Sequence, residues 1–273
     1  MKHLMIHPVR ALADLLMPRY CPLCGALLLL AEHRICLSCT AALPLTYYWL
    51  RPRNPMSDRI NALLARTSDP PEQYLYAAAL FFYTGPYRDV TRLLKYLRDF
   101  ELGRYFSRAL ASRIAASPQF WDVDMVVPLP LHWTRRLRRG YNQSDIIAAA
   151  LASELGVPCC RKLLSRRRRT RSQAKMQGEG RIRNVTGAFV SDYKDFRPRH
   201  ILLVDDVLTT GATLAAAELA LRRGVPGGAQ PPRVSFATLA CVPHESGVGE
   251  WKRFAMSLRL WTRNTCFPAG STL

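Results

Sequence analysis

The residues best suited to chemistry lie in the stretch 201–213 of this 273-residue chain. Four apolar residues, Ile201 to Val204, come first without polar alternation, which predicts a strand buried on both faces. Asp205 and Asp206 follow, where that strand is expected to end. A loop then leads into a predicted helix and contains Thr209, Thr210, Gly211, Ala212 and Thr213. Backbone N–H groups and hydroxyls at a helix N-terminus suit a phosphate, and a glycine permits positive φ. The acids would repel a phosphate, so we expect them to bind sugar hydroxyls or a divalent cation.

The segment Val204–Thr213 resembles the 5-phosphoribosyl-1-pyrophosphate (PRPP) signature of type I phosphoribosyltransferases. It has the same order of apolar strand, two acids, two apolar residues and Thr-Thr-Gly-x-Thr. In that family the acids hold the ribose 2′- and 3′-hydroxyls and the loop holds the 5′-phosphate. The resemblance therefore implies the ribose role for Asp205 and Asp206 and the phosphate role for 209–213. An ordinary buried strand before a capped helix would not explain the adjacent acids and this loop together.

Four cysteines near the N-terminus have the spacing of metal ligands. Cys21 and Cys24 form one C-x-x-C knuckle, and Cys36 and Cys39 form a second one about a dozen residues later. This doubled spacing predicts a closed, structural zinc site. A disulfide pair is the alternative, but thiols stay reduced in the cytosol, where this chain is expected to be. The other cysteines lack ligand spacing and are interpreted as structural or incidental: Cys159, Cys160, Cys241 and Cys266.

Two arginine-rich segments accompany the predicted phosphate loop. The first, Leu129–Gly140, is interpreted as a loop between a buried strand at Val123–Pro130 and a helix at Asp145–Leu155 that Ser144 caps. The second, Arg161–Arg183, has no apolar period and is predicted to be an exposed arm. A solvated basic face is the alternative interpretation for both. The candidate contacts to pyrophosphate or nucleic acid are Arg135, Arg136, Arg139, Arg166, Arg167, Arg168, Arg169 and Arg171.

The elements around these motifs predict an α/β fold. A strand is predicted at Tyr74–Tyr83 and helices at Tyr87–Leu97 and Asp99–Ser117, with Lys95 among the basic residues of a solvated helix face. Repeated strand, loop and helix units predict a mostly parallel sheet flanked by helices, with the ligand crevice at the carboxyl ends of the strands. His132, a lone histidine, is more simply structural than catalytic.

The composition is strongly basic, with a formal net charge of +19. Such a charge favours polyanionic partners or substrates that carry phosphate. No apolar run approaches the roughly 20 residues that a membrane span requires, so the chain is expected to be soluble and cytoplasmic. An amphipathic helix within 1–17 is expected to pack on the body.

Further blocks resemble the ComF family, which pairs a zinc ribbon with a phosphoribosyltransferase-like domain and is linked to DNA uptake in competent bacteria. These blocks are the four-cysteine N-terminus, Arg139-Gly140-Tyr141-Asn142-Gln143, Arg169-Thr170 with Gln173, and Arg183-Asn184 with Gly187-Ala188-Phe189. The resemblance covers about Pro18 to Cys241. The predicted organisation is a zinc ribbon with an N-terminal helix (1–45), a proline-rich connector (46–73) with a short helix around Ser57–Ala65, a phosphoribosyltransferase-like domain (74–243) and a tail (244–273).

Two functions stay open at this point. By resemblance, an enzyme would displace pyrophosphate from C1 of PRPP with a nitrogen nucleophile, helped by Mg²⁺, while arginines stabilise the leaving pyrophosphate. Enzymes of this fold that use 6-oxopurines carry a third acid where Thr209 stands, so a 6-oxopurine acceptor is not expected. The alternative is a non-catalytic module of the DNA-uptake machinery that binds single-stranded DNA or a nucleotide.

Overall fold

The computed structural model describes residues 6–167, 187–227 and 229–243, with side chains described from residue 11 onward. Its strands are β1 (Ala77–Phe82), β2 (Met125–Pro128), β3 (Leu164–Arg166), β4 (Phe189–Ser191), β5 (His200–Leu208) and β6 (Arg233–Cys241). Four of them form a parallel sheet in the order β1-β6-β5-β2, while β3 and β4 pair antiparallel beside it. The prediction of an α/β fold with a parallel sheet flanked by helices is confirmed.

Helices cover both faces of this sheet. In chain order they are α1 (Ile6–Leu16), α2 (Leu37–Ala41), α3 (Pro55–Leu64), α4 (Arg88–Arg92), α5 (Phe100–Ala115), α6 (Trp133–Arg139), α7 (Gln143–Leu155) and α8 (Ala212–Arg223). Helices α5 and α7 pack against Leu202 and Val204 on one face. Helices α3 and α8 pack against Ile201 and Leu203 on the other. The apolar run of β5 is buried on both faces because each face has its own helical layer.

The register of the sheet opens a crevice beside β5. The pairing of β2 with β5 ends at Pro128 and Val204, whereas β5 continues beside β6 as far as Leu208 and Cys241. The two acids that follow Val204 therefore lie within β5. The sequence had predicted them after the end of the strand. No residue of β2 pairs with these acids, because the pairing of β2 with β5 ends before them.

The connector and the base of the arginine-rich arm both contribute to the core. Helix α3 agrees with the short helix predicted within the connector; it begins after the N-cap Asn54 and buries Met56 and Ile60 completely. The prediction of an exposed arm is wrong at its base, because Leu163 and Leu164 are buried and β3 pairs with β4. The rest of that arm, 168–186, lies outside the described residues, as does the tail 244–273.

The N-terminal helix forms but does not pack as expected. Leu12, Leu15 and Leu16 of α1 are all exposed, so these apolar side chains face solvent instead of the body. Throughout the described ranges, no helix combines the length and apolar content needed to cross a bilayer.

Candidate functional site at the carboxyl end of the sheet

The loop after β5 has the geometry of an anion site. Gly211 has φ +85°, a left-handed conformation that favours glycine, and it is the N-cap of α8. A glycine N-cap has no side chain to satisfy the first helical amides, and the Ala212 N–H makes only a long contact of 3.5 Å with the Thr210 hydroxyl, so a ligand could replace it. A Cβ at Gly211 would meet Ile60 and Leu63 of α3 at 3.4 Å. The loop is thus held against α3 with its helix N-terminus at the crevice.

Arg59 holds this loop from the opposite helix, a role that the sequence did not indicate. Its guanidinium donates to the carbonyl of Thr209 and, at 3.2 Å, to the carbonyl of Val242. Arg59 belongs to α3, within the segment predicted to be a connector. Its position depends entirely on how α3 packs against the sheet, so no local pattern could have revealed it.

Asp205 is held by hydrogen bonds but remains an unfavourable charge. Its Oδ1 accepts from the Ser144 hydroxyl at 3.0 Å and from the backbone N–H of Asp206 at 2.9 Å. Burial and the neighbouring charge of Asp206 raise the pKa of Asp205 to about 7. This carboxyl therefore exchanges its proton near neutral pH, and hydroxyl donors of a ligand would stabilise its ionised form.

The prediction that Ser144 caps α7 is wrong. The helix begins at Gln143 after the N-cap Asn142, and Ser144 lies inside its first turn. The side-chain amide of Asn142 donates to the carbonyl of Leu129 at 3.0 Å and to Asp145 at 3.1 Å. These bonds fix the start of α7 against the end of β2, which places the Ser144 hydroxyl at Asp205.

Lys95 meets the second acid. Its ammonium forms an ion pair with Oδ2 of Asp206, and the two side chains are only 24% and 10% exposed. Burial alone would lower the pKa of Lys95, but the charge of Asp206 raises it above its ordinary value. The prediction that Lys95 lies on a solvated face is therefore wrong. It is presented by a single π-helical turn, Leu93–Leu97, that follows α4.

The two arginine-rich segments converge near Asp205. The first contains helix α6 where the sequence predicted a loop, and buried His132 caps that helix by accepting from the Thr134 amide at 3.4 Å. Burial lowers the pKa of Arg166 and the charge of Arg135 lowers it further, whereas the charge of Asp205 opposes that shift. The Arg166 guanidinium also lies over the Phe189 ring, 5.1 Å from its centroid.

The other candidate arginines take several positions. Arg136 is exposed on α6, and the guanidinium carbon of Arg139 lies 5.5 Å from the centroid of the Tyr96 ring. The backbone N–H of Arg167 donates to the carbonyl of Ala188 at 2.9 Å. Three further candidates, Arg168, Arg169 and Arg171, lie outside the described residues.

The four N-terminal cysteines come together as their spacing predicted. The Sγ atoms of Cys21, Cys24, Cys36 and Cys39 all lie within 4.8 Å of one another. Tetrahedral zinc with bonds of about 2.3 Å would place its sulfur ligands about 3.8 Å apart, so the cluster could hold this metal. Burial would raise the pKa of Cys21, but amide hydrogen bonds, chiefly from Cys36, lower it to about 7. Burial has the opposite effect on Cys36 and Cys39 and raises the pKa of both thiols.

The cysteine cluster is attached to the body of the protein. The hydroxyl of Tyr87, a buried residue just before α4, donates to the carbonyl of Cys39 at 2.6 Å. Of the remaining cysteines, Cys160 and Cys241 are buried and Cys159 is partly buried, which agrees with a structural interpretation. Cys266 lies outside the described ranges.

Comparison with known proteins identifies a phosphoribosyltransferase domain in this chain. A family model described as the phosphoribosyl transferase domain matches residues 142–254, which include the acids, the glycine loop and α7. DNA utilization protein YhgH of Salmonella typhimurium is 30% identical over 221 residues, 77% of this chain and 94% of that protein.

Two competence proteins are also similar. Competence protein F of Haemophilus influenzae is 29% identical over 146 residues, covering 52% of this chain and 64% of that protein. Competence protein ComFC of Streptococcus pneumoniae is 29% identical over 136 residues, covering 50% of this chain and 57% of that protein. Because the YhgH relative is matched along nearly its whole length, the chain belongs to the ComF/YhgH family and combines a phosphoribosyltransferase domain with an N-terminal four-cysteine cluster.

Proposed function

We propose that the carboxyl end of the sheet binds PRPP or a related ribose 5-phosphate. One observation carries the proposal: an acid pair and the glycine-capped start of α8 follow each other at one end of β5. Carboxylates accept hydrogen bonds from ribose hydroxyls, and helical amides donate to a phosphate. The residues assigned to the ligand are Asp205, Asp206, Thr209, Thr210, Gly211, Ala212 and Thr213.

In the enzymatic form of this proposal, a nitrogen nucleophile forms a bond to C1 of PRPP as the bond to pyrophosphate breaks. Arg135 and Arg166 then stabilise the negative charge that develops on the leaving group. Mg²⁺, which the family resemblance implies, does not fit the acid pair as it stands. The Lys95 ammonium already contacts Asp206, so a metal ion at the pair would place a second positive charge beside it. We assign no step to Mg²⁺.

The test is a thermal shift with PRPP. A ligand at about 100 times its Kd stabilises the folded protein by about 2.7 kcal/mol, which gives a clear rise in Tm. We expect Asp206→Asn to abolish most of that rise, because the amide is uncharged and offers one acceptor oxygen where the carboxylate offers two. Asp195→Asn, at an exposed position near the other end of β5, serves as the matched control. An unchanged wild-type Tm at saturating PRPP would contradict the assignment.

We further propose that the cysteine cluster holds one zinc ion. The module has only a few buried residues of its own, so metal binding would supply much of its folding free energy. Elemental analysis of protein purified without chelator should give about one zinc per chain. Replacing Cys39 by serine should release it. Protein with no zinc, or zinc retained by that variant, would contradict the proposal.

A second candidate function is binding of single-stranded DNA in DNA uptake, in keeping with the names of the relatives. The specific observation is an exposed aromatic residue on the arginine-rich helix α6. The Trp133 side chain is 62% exposed, and Leu137 on the same helix is 74% exposed. Arg136 and Arg138 are also exposed there. Bases stack on exposed aromatic rings, while arginines neutralise the phosphates.

This candidate has its own measurement. The logarithm of the oligonucleotide affinity should fall with the logarithm of salt by about 0.7 for each phosphate neutralised. The double variant Arg136→Gln/Arg138→Gln should flatten that slope by about 1.4, while Trp133→Ala should weaken binding at all salt concentrations. Equal slopes for wild type and double variant would exclude α6 as a DNA contact.

A further inference from the structure

We propose that Lys95 is a ligand-binding residue of the ribose-phosphate site and supplies the cation that the acid pair would otherwise take from Mg²⁺. The inference rests on the proposed function and deepens it. Asp205 and Asp206 are adjacent and largely enclosed, and within the described residues the ammonium paired with them belongs to Lys95. Two neighbouring carboxylates at a site of low dielectric need a nearby cation to ionise together.

The backbone that carries Lys95 is irregular. Residues 93–97 form a single π-helical turn, and Arg98 after it has φ +55°, a left-handed conformation that is costly for a residue with a side chain. Single π-helical turns occur frequently at functional sites. A regular helix would continue from α4 without this strain, so the distortion needs a compensating interaction.

Tertiary contacts fix this irregular turn in place. The Tyr141 hydroxyl donates to the carbonyl of Leu94, and the Arg98 guanidinium donates to the carbonyl of Arg139 at 3.1 Å. Leu94 itself is fully buried. Both partners lie at or just after the C-terminal end of α6, so the arginine-rich helix and the lysine turn are bound to each other. The position of Lys95 is therefore determined by the surrounding structure.

The ammonium can serve the ligand without leaving the acids. A lysine has three N–H donors and no acceptor, so one donor can stay on Asp206 while another contacts an anionic or hydroxyl oxygen of the ligand. The exposed quarter of the Lys95 side chain provides access from the crevice. In this arrangement the ribose hydroxyls donate to the carboxylates, and Lys95 keeps the pair ionised while they do so.

The consequence is a site that binds ribose 5-phosphate without Mg²⁺. Ribose 5-phosphate is the appropriate probe because it lacks the pyrophosphate that itself chelates the metal. The buffer is freed of Mg²⁺ by a resin, without soluble chelator, so that the cysteine cluster is undisturbed. We expect the wild-type affinity to be the same with and without Mg²⁺, within about twofold.

Substitution of Lys95 should create a dependence on the metal. Lys95→Met is expected to weaken ribose 5-phosphate about tenfold in Mg²⁺-free buffer, the loss of one charge-assisted contact, and millimolar Mg²⁺ should restore part of it. Lys95→Arg, which keeps the charge, should lose less. Lys194→Met, at an exposed lysine near the amino end of β5, should have no effect.

A second measurement does not depend on any sugar ligand. Mg²⁺ alone should raise the Tm of Lys95→Met, whose acid pair has lost its cation, and should leave the wild-type Tm unchanged. If Lys95→Met does not fold, Lys95→Gln, which keeps a polar donor but not the charge, takes its place. Wild-type affinity of that variant for ribose 5-phosphate without Mg²⁺ would then overturn the proposal, and a loss that Mg²⁺ partly restores would support it.

The possible failures are distinguishable. Two results would overturn the role of Lys95 and leave the ribose-phosphate site intact. In the first, wild-type protein binds ribose 5-phosphate only with Mg²⁺. In the second, Lys95→Met binds it in Mg²⁺-free buffer as tightly as wild type does. Wild-type protein that binds neither ribose 5-phosphate nor PRPP under any condition would overturn the proposed function and this inference with it.

Discussion

The two ends of strand β5 carry polar clusters of similar composition and opposite character. At the amino end, the two ring nitrogens of His200 form hydrogen bonds with Asp122 at 2.9 Å and Ser235 at 2.8 Å. Arg233 forms an ion pair with Asp122. At the carboxyl end, the Lys95 ammonium contacts Asp206 and the Ser144 hydroxyl donates to Asp205. The first cluster consists of complementary partners, whereas the second concentrates like charge.

The amino-end cluster has the order of a Ser-His-Asp triad but cannot act as one. The Ser235 hydroxyl is completely buried within β6, so no substrate carbonyl could approach it. Burial lowers the pKa of His200, and the charge of Arg233 lowers it further, which keeps the ring neutral. The comparison teaches that residue types and distances do not define a catalytic site without access.

A groove near the amino end leads to the same conclusion. It has a volume of about 690 Å³ and is lined by several arginines. One of them, Arg222, is bound to buried Glu218 at 2.9 Å and to Asp69 at 2.7 Å. Charges already paired with such geometry stabilise the fold and offer little to a ligand. Asp205 at the carboxyl end, by contrast, is an unfavourable charge that hydroxyl donors of a ligand could relieve.

The largest effect that tests this comparison is expected from metal removal. The cysteine cluster contacts Tyr87, just before α4 and the lysine turn, but none of the amino-end residues named above. Chelation should cost several kcal/mol, of the order of 5, because a structural zinc supplies folding free energy. Hydrogen exchange should then quicken at 87–97 while the amides at 201–204 stay protected. Equal loss of protection in both segments would show that they unfold together when the metal is removed.

The next effect concerns stability at the amino end. His200→Ala should destabilise the protein by about 3 kcal/mol, because it leaves Asp122 and Ser235 without their shared partner and opens a cavity. Urea denaturation measures this loss, and His33→Ala, at an exposed histidine, is the control. The PRPP-induced rise in Tm should survive in His200→Ala. Loss of that rise would place the amino-end cluster in the ligand site after all.

The pH dependence of stability should have opposite signs at the two ends. Asp205 has a raised pKa of about 7, so its ionisation opposes folding and stability is lost as pH rises from about 4 towards 7. His200 has a lowered pKa, so its contribution is lost as pH falls below the unfolded value of about 6.5. The free energy of unfolding of Asp205→Asn, relative to that of wild type, should therefore be higher at pH 8 than at pH 5. We expect this relative stability to change by about 1–2 kcal/mol, because the site is partly open to solvent.

Urea unfolding of both proteins at the two pH values measures this difference. The charged or titratable groups that face Asp205 are Asp206, Lys95 and Arg166, and they are present in both proteins. Asp195→Asn, at an exposed acid, should show no such change between the two pH values. A constant difference between wild type and Asp205→Asn would mean that the carboxyl does not titrate near neutral pH.

The smallest effect concerns the serine that supports Asp205. Ser144→Ala removes a hydrogen bond to the ionised carboxylate, which should raise the pKa of Asp205 further. We expect ribose 5-phosphate binding to weaken about threefold at pH 7 and to recover at pH 8, with stability within about 0.5 kcal/mol of wild type. Ser165→Ala, on β3, provides the control. A loss that does not depend on pH would indicate direct contact of Ser144 with the ligand.

The sequence by itself determined the local features of this protein. The apolar run before the acids predicted the central strand, the glycine loop predicted a helix N-terminus, and two C-x-x-C knuckles predicted the cysteine cluster. Each of these depends on neighbouring residues, whose spacing alone fixes the backbone conformation or brings the side chains together. Family resemblance then added the phosphoribosyltransferase domain, which the comparisons confirm.

Only the tertiary structure decided which distant side chains complete the site. Lys95 and Asp206 are separated by more than a hundred residues, as are Arg59 and Thr209. A lysine on a helix has the same local pattern whether it faces solvent or an acid, and a serine at a helix start resembles a cap wherever it points. Packing of α3, α7 and the π-helical turn against the sheet removes that ambiguity, because it fixes which groups meet at the end of β5.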